Sequence, residues 1–171
     1  FPSQRASLSP DGRLFASGLS SPNYRWEVWS VETAKPIASL SGFYVLDQLG
    51  RFSDDGKWLA SRNNNATIAV RDTASGQIRH LLQGHTSEIE DVAFSRDGRW
   101  LASGGKDRTI RLWPLAGGET RILEGHNQNV NGVVFTRDGK SLVSVSYDQT
   151  VRIWPLDGGE PQTLTLPTPL N

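Results

Sequence analysis

The 171-residue sequence contains no cysteine and no methionine, and it has no long apolar run. Without cysteine the chain can form no disulfide, no thiolate nucleophile and no zinc–thiolate site. Its longest unbroken apolar run covers only residues 43–46, whereas a helix that spans a membrane needs about 20 apolar residues. These absences exclude a disulfide-stabilised fold, predict that no part of the chain crosses a membrane, and favour a cytoplasmic location.

An excess of charge is also missing. The chain has 18 Lys and Arg residues against 18 Asp and Glu residues, and the two signs are interspersed. Proteins that bind a phosphate backbone or an anionic lipid surface usually carry a basic excess. We therefore expect neither nucleic acid nor a membrane as a partner.

The missing methionine bears on where the chain starts. An intact translation product begins with Met, and a bulky neighbour such as Phe1 is a poor setting for its removal. We therefore expect the chain to be a fragment of a larger protein. Cleavage of a signal peptide before Phe1 is the alternative, which the sequence leaves open.

Two landmarks recur with a period of about 42 residues. One is a turn of the pattern Ser/Thr-x-Asp-Gly-Arg/Lys, at residues 9–13, 53–57, 95–99 and 136–140. The other lies at Trp29, Arg71, Trp113 and Trp154. Four repeats of this length account for nearly the whole chain, and we place them at about 1–41, 42–83, 84–124 and 125–171.

Each repeat alternates short apolar stretches with turn residues. In the third repeat the strands are predicted at Asp91 to Phe94, Trp100 to Gly104, Thr109 to Trp113 and Glu119 to Leu123. Turn signals every 8 to 12 residues, with no 3.6-residue periodicity, are typical of an all-β fold. In each Asp-Gly turn, we expect the Gly to supply the positive φ that a tight hairpin needs.

The repeats resemble those of the WD40 family. Its pattern is a Gly-His pair, a Ser-x-Asp-Gly turn, a Ser in the second strand, an Asp in the next turn and a Trp that ends the third strand. The third repeat matches with Gly84-His85, Ser103, Asp107 and Trp113, and the fourth with Gly125-His126, Ser144, Asp148 and Trp154. The resemblance implies a WD40-type β-propeller segment over residues 1–171, with each repeat as one four-stranded antiparallel blade.

The first two repeats depart from this pattern. In the second repeat Phe43 replaces the His, Asn65 replaces the Asp and Arg71 replaces the Trp. The first repeat starts after the Gly-His position and has Asn23 in place of the Asp. We expect both to lack the polar network of the other two.

His85, Ser103 and Asp107 have the composition of a catalytic triad. The resemblance implies instead a buried hydrogen-bond chain of His, Ser, Asp and the Trp indole N–H. The set recurs as His126, Ser144 and Asp148, and recurrence favours a structural clasp because a catalytic site occurs once. We therefore predict two clasps, completed by Trp113 and Trp154, and no catalytic residue. A propeller enzyme is the least favoured alternative, since the innermost strands supply only scattered acids such as Asp47, Glu90 and Asp91.

Neither a metal nor a cofactor is predicted. Of the three His residues, two belong to the clasps, and His80 lies on a fourth strand where we expect it to face solvent. No pair has ligand spacing. Gly104-Gly105 and Gly117-Gly118 lack the flanking pattern of a phosphate-binding loop, and we predict that they are turn glycines.

The resemblance implies a non-catalytic scaffold or sensor that binds a protein or peptide through its blade-top loops. By register those loops, with one neighbouring residue, carry the candidate contact residues Tyr44, Arg62, Glu88, Lys106, Asn129 and Tyr147. The alternative is a structural segment that helps to close a propeller ring.

Ring closure raises a separate expectation. WD40 blades usually suit a ring of seven, so four should leave an open half ring with apolar end faces. We expect these faces to be covered by further blades of a parent protein, or by a second copy that completes an eight-bladed ring.

Overall fold

The computed structural model describes residues 6–19, 25–40 and 50–167. These residues form 16 strands and no helix, and accordingly none of them belongs to a helix that could cross a membrane. The strands make four separate sheets, each of four antiparallel strands. The prediction of an all-β fold with four-stranded antiparallel sheets is confirmed.

Each sheet is a meander in which consecutive strands pair in chain order. Sheet 1 comprises β1 (Ala6–Leu8), β2 (Leu14–Leu19), β3 (Arg25–Ser30) and β4 (Lys35–Leu40), and sheet 2 comprises β5 (Gly50–Phe52), β6 (Trp58–Asn64), β7 (Thr67–Asp72) and β8 (Ile78–Gln83). Sheet 3 comprises β9 (Ile89–Phe94), β10 (Trp100–Gly105), β11 (Ile110–Pro114) and β12 (Arg121–Leu123), and sheet 4 comprises β13 (Val130–Phe135), β14 (Ser141–Ser146), β15 (Thr150–Pro155) and β16 (Gln162–Thr165).

The chain divides into two compact units, Phe1–Gly84 with sheets 1 and 2, and His85–Asn171 with sheets 3 and 4. The core of the first unit joins Ala16 and Val28 of sheet 1 to Phe52 and Leu59 of sheet 2. Alternation along each strand places these side chains on one face. Burying an aliphatic or aromatic side chain of this size contributes about 1.5–3 kcal/mol, so the core is what holds the two sheets of this unit together.

The second unit repeats this arrangement. Phe135, Leu142 and Trp154 are cross-strand partners in sheet 4, and they form a row across three strands. This row packs in one cluster with Ala102 and Leu112 of sheet 3. The core of this unit therefore lies between sheets 3 and 4.

The four Asp-Gly turns share one hydrogen-bonded geometry. In the third, Ser95 Oγ donates to Asp97 Oδ1 (2.7 Å) and accepts from the backbone N–H of Trp100 (2.9 Å). Asp97 Oδ1 also accepts from the N–H of Arg99 at 3.0 Å. Gly98 has a φ of 69°, as the sequence predicted. The turns at 9–13, 53–57 and 136–140 repeat these contacts.

Two predictions about the glycine pairs have different outcomes. Gly117 and Gly118 have φ values of 94° and 123°, so they are turn glycines. Gly104 and Gly105 are not, because they end β10 at a β-bulge. A Cβ on Gly104 would lie 2.6 Å from Val130 Cγ1, so this position is small because sheet 4 approaches it closely.

Candidate functional site

Four side chains of the third repeat form one hydrogen-bond chain. His85 Nδ1 lies 2.7 Å from Asp107 Oδ2, and His85 Nε2 lies 2.7 Å from Ser103 Oγ. The indole N–H of Trp113 donates to the same Ser103 Oγ at 2.8 Å. Ser103 is 0% exposed and His85 is 6% exposed. We call these four residues the sheet 3 clasp.

The fourth repeat contains the same arrangement, which we call the sheet 4 clasp. His126 Nδ1 lies 2.8 Å from Asp148 Oδ2, and His126 Nε2 lies 2.7 Å from Ser144 Oγ. The indole N–H of Trp154 donates to Ser144 Oγ at 2.8 Å. The structure therefore brings together all eight residues that the sequence grouped into two clasps.

The chemistry of the donors sets the direction of each chain. An indole N–H can only donate, so Ser103 Oγ accepts from Trp113 and directs its own proton to His85 Nε2. His85 must then carry its proton on Nδ1, which donates to the carboxylate of Asp107. The imidazole is consequently neutral, and every donor in the chain has one acceptor.

Electrostatics agree with this assignment. Burial lowers the pKa of His85 and of His126, and it outweighs the neighbouring carboxylate that would raise it. Burial would by itself raise the pKa of Asp107, but hydrogen bonds from the Thr86 N–H, His85 and Thr109 prevail and lower it. At neutral pH each clasp therefore combines a neutral His with an ionised Asp.

A second set of contacts around each clasp was missed by sequence reasoning. Asp107 Oδ1 accepts from Thr109 Oγ1 at 2.8 Å, and Thr150 Oγ1 makes the same bond to Asp148 at 2.6 Å. The guanidinium of Arg111 lies 5.8 Å from the centre of the Trp113 ring, and Arg152 lies likewise over Trp154. Both pairs, Thr109 with Thr150 and Arg111 with Arg152, recur at the 41-residue spacing of the clasps, which was the available signal.

The Gly of the Gly125-His126 pair is explained by the same guanidinium. A Cβ on Gly125 would lie 2.5 Å from Arg152 Nη1 and 3.4 Å from the Trp154 ring. Gly125 also has a φ of 147°, a conformation that side chains rarely adopt. Because Gly125 has no side chain, the Arg152 guanidinium has room to lie over the Trp154 ring.

The geometry of the clasps does not suit catalysis. A nucleophilic Ser must reach a substrate carbonyl, whereas Ser103 and Ser144 are 0% and 1% exposed. Both hydroxyls are already occupied by a Trp donor and a His acceptor. Asp91, one of the scattered acids of the innermost strands, accepts a backbone hydrogen bond from Val133 at 3.1 Å. Within the described ranges no group of three or more His, Cys, Asp or Glu side chains gathers in a way that could hold a metal ion.

Sheet 2 shows what remains when the clasp residues are replaced. Ser61, at the position of the clasp Ser, is fully buried and its Oγ has no hydrogen-bond partner in the described part of the chain. Arg71, at the position of the Trp, donates from Nη1 to Gly76 O at 3.3 Å, and burial lowers its pKa. Asn23 and Phe43 lie outside the described residues.

Four of the predicted contact residues lie at the end of sheets 3 and 4 that carries the clasp Asp, which we call the loop end. Lys106 Nζ lies 2.6 Å from Glu88 Oε2 and 3.4 Å from Glu90 Oε1. In sheet 4 the Tyr147 N–H donates to Asn129 O at 3.1 Å, and Tyr147 is 47% exposed. The backbone of Lys106 makes the equivalent bond to Glu88 O, so each pair has the same place in its own sheet.

Two further expectations need correction. Arg62 is 8% exposed within β6 and has interactions of its own, because a strand and not a loop continues through its position. His80 does not face solvent freely, since its ring packs edge-on against Trp58 at 6.3 Å and it is half-buried. Tyr44 lies outside the described residues.

Removal of one clasp member should destabilise the fold. We expect His126→Ala to lower the free energy of unfolding by about 1–3 kcal/mol, because Ser144 and Asp148 lose a buried partner. His80→Ala is the matched control, since it removes a His outside the clasps, and it should cost less. Urea denaturation followed by Trp fluorescence measures both, and an unchanged midpoint for His126→Ala would contradict the structural role.

The neutral His residues also predict a pH dependence. Their folded pKa values lie below the ordinary 6.5, so the unfolded chain binds more protons as the pH falls through that value. Stability should therefore be complete above about pH 7 and decrease from about pH 6.5 downwards. Below about pH 4 a second loss is expected, because the folded pKa of Asp97 is lowered from 3.8 to about 2. Urea midpoints measured between pH 8 and pH 3 test this. The loss of stability that begins near pH 6.5 should be smaller in His126→Ala, which lacks one of the two clasp His residues.

Comparisons with known proteins agree with this geometry. A family model described as "WD domain, G-beta repeat" matches residues 76–114 and 117–155. The meiotic recombination protein rec14 of Schizosaccharomyces pombe is 29% identical over 87 residues, which are 51% of this chain and 28% of that protein. A solved structure of U3-55K matches 94% of this chain and 50% of its own with a TM-score of 0.79 at 23% identity. The chain thus spans half or less of each relative.

The two family-model matches contain both complete clasps, His85 to Trp113 in one and His126 to Trp154 in the other. The first match begins at residue 76 and therefore excludes Phe43, Asn65 and Arg71, which replace the clasp His, Asp and Trp in the second repeat. Motif, fold and hydrogen-bond geometry therefore coincide in the same two repeats, and these two repeats match the WD40 repeat family.

Proposed function

We propose that the chain is a non-catalytic protein-interaction module whose loop end contacts a partner. WD40 repeat proteins generally act as protein-interaction scaffolds. The observation that carries the proposal is the pairing of Glu88 with Lys106 and of Asn129 with Tyr147, at one end of two sheets that the clasps stiffen. Tyr combines apolar area with a hydroxyl, and such residues are preferred anchors at interfaces.

Backbone strain at the same end supports this assignment. Arg108 and Gln149 have φ values of 67° and 66°, in the left-handed region where Gly is ordinarily favoured. Both side chains are exposed, and each follows directly after a clasp Asp. A long exposed side chain in a strained conformation is typical of functional positions, so these two residues join the candidate contact surface.

The charges at this end are also defined. Hydrogen bonding to Glu88 and the charge of Glu90 raise the pKa of Lys106, so this Lys stays protonated between two carboxylates. Tyr147 lies at the equivalent place in sheet 4 with no charge. A partner would therefore meet Lys106 with its two carboxylates, Glu88 and Glu90, on sheet 3, and the aromatic ring of Tyr147 on sheet 4.

A loop-end variant should lose its partner without losing its fold. We expect Lys106→Glu combined with Tyr147→Ala to remove most of the proteins that the immobilised wild-type chain captures from a lysate of its source organism. Arg79→Ala, an exposed change on β8, is the control and should retain them. Quantitative mass spectrometry measures the bound set, with circular dichroism to check folding. Equal capture by both variants would contradict the loop end as the contact surface.

The end faces of the two units support a further interaction. Leu8, Phe15 and Trp29 are cross-strand partners in sheet 1, in the same register as the buried row of sheet 4. In sheet 1 this row lines an apolar cavity of about 420 Å³, and Leu8 is 60% exposed. Such a face is what a neighbouring sheet covers in each unit, so we propose that another blade packs on it.

The outer face of sheet 4 has a matching character. Val134 is 57% exposed and Leu164 is 54% exposed, and Val134 lies on the opposite side of β13 from the buried row. We propose that the outer faces of sheets 1 and 4 receive further blades of a longer chain, or each other in a second copy. Contact between sheet 4 of one copy and sheet 1 of another, made twice in a closed pair, would cover both of these faces.

Association of two copies can be tested directly. If a second copy covers these faces, light scattering after size-exclusion chromatography should give twice the monomer mass, and Phe15→Lys should shift the chain to the monomer. Ile78→Lys is the control, since Ile78 is also exposed (44%) but lies on β8. A stable, well-behaved monomer for the wild-type chain would contradict closure by a second copy.

A further inference from the structure

A cavity of about 420 Å³ opens between the Asp-Gly turns of sheets 3 and 4, at the end opposite the loop end. We call it the turn-end pocket. Its lining residues include Arg96, Arg99 and Arg137, and its apolar part consists of Trp100 and Leu156. A concave site with a few charged groups and an apolar floor is the usual form of a binding site.

The two carboxylates in the pocket wall belong to the turns. Asp97 is bonded to Ser95, to the Arg99 N–H and to the Arg99 guanidinium at 2.5 Å. Asp138 accepts from Thr136 Oγ1 at 2.6 Å and from the Lys140 N–H at 3.0 Å. The hydrogen bond from Thr136 contributes most to lowering the pKa of Asp138, so both carboxylates are ionised.

The three guanidinium groups differ in whether they have interaction partners within the protein. Arg99 is paired with Asp97, and Arg96 has an interaction of its own within the protein. Arg137 takes part in no hydrogen bond or ion pair within the stretches of chain that the structure describes. Three Arg side chains against two Asp side chains leave the pocket with one excess positive charge, and Arg137 is the group that can turn to a ligand.

Comparison among the repeats shows that the turn does not need these Arg residues. The positions of Arg96 and Arg137 are occupied by Pro10 in the first repeat and Asp54 in the second. The turns there form with the same hydrogen bonds. The paired Arg residues are therefore a property of the turn-end pocket and not of the turn.

The apolar part of the pocket is held in place by the backbone. The Leu156 N–H donates to Lys140 O at 2.9 Å, and Leu156 O accepts from the Arg121 guanidinium at 2.8 Å. The backbone N–H of Trp100 is bound by Ser95, and its ring is half-buried. A ligand thus meets a preorganised surface, which lowers the entropic cost of binding.

We propose that the turn-end pocket binds an acidic peptide segment of a partner protein, with one carboxylate on Arg137 and an adjacent aliphatic or aromatic side chain on Trp100 and Leu156. Arg is suited to this contact because its planar fork matches a carboxylate in two parallel hydrogen bonds. A phosphate group carries about 1.5 to 2 negative charges at neutral pH. With two ionised Asp side chains nearby and one excess positive charge, the pocket favours the single charge of a carboxylate. This site is separate from the loop end, and both can be occupied at once.

The test uses the whole chain and labelled peptides of defined sequence. The probe is a fluorescein-labelled hexapeptide of Glu and Leu residues. The comparison peptides replace Glu by Gln, or one Glu by phosphoserine, and fluorescence anisotropy at low salt measures binding. We expect the Glu peptide to bind more tightly than either comparison peptide.

The variants for this test are chosen from the residues that the other repeats carry in the Asp-Gly turn. Arg137→Asp introduces the residue that the second repeat tolerates at this position, so the turn should form, and the affinity should fall by about tenfold, because a charged hydrogen-bonded contact is lost. Arg13→Ala removes the exposed Arg of the first turn and should leave the affinity unchanged. Equal affinity for the Gln peptide, tighter binding of the phosphoserine peptide, or wild-type affinity in Arg137→Asp would each overturn the proposal. Loss of the loop-end partner would leave this result unaffected, so the two proposals fail separately.

Discussion

The indole N–H of Trp113 is the group on which the sheet 3 clasp depends. Because it can only donate, the hydroxyl proton of Ser103 must go to His85 Nε2, and His85 must carry its own proton on Nδ1, which faces Asp107. Trp154 does the same for sheet 4. In each clasp one group that cannot accept a hydrogen bond thus fixes the hydrogen-bond directions of the other three side chains. Every donor in the clasp has an acceptor only when the His is neutral.

This constraint connects the inside of each sheet to its loop end. Asp107 is bonded to His85 on one side and to Thr86 and Thr109 on the other. The turn that follows therefore has little freedom, and Arg108 is held in a left-handed conformation next to it. Sheet 2 lacks such a chain in the part of the molecule that is described, and Ser61 is left buried with an unsatisfied hydroxyl. The repeats thus differ in how firmly they hold the residues they present.

Much of the fold could be predicted from the sequence, since the Asp-Gly turns and the Trp landmarks recur at nearly constant spacing. The clasp residues were predictable for the same reason. The prediction that Gly104 is a turn glycine was wrong, because Gly occurs both where the backbone needs a positive φ and where a neighbour leaves no room for a side chain. Only the structure shows that Val130 lies close to Gly104. Arg62 was placed at the surface because register locates a residue along a strand but does not give its burial. The turn-end pocket could not be predicted, since it arises where two turns distant in sequence come together.

The Asp-Gly turns also have a consequence for the order in which the chain folds. Their hydrogen bonds join residues two to five positions apart, for example Ser95 with Asp97 and with Trp100. The clasps instead join residues 10, 18 and 22 positions apart. Closing a short loop costs less chain entropy and is faster than closing a long one. We therefore expect the turn of each repeat to form early, and the clasps of the third and fourth repeats to close later.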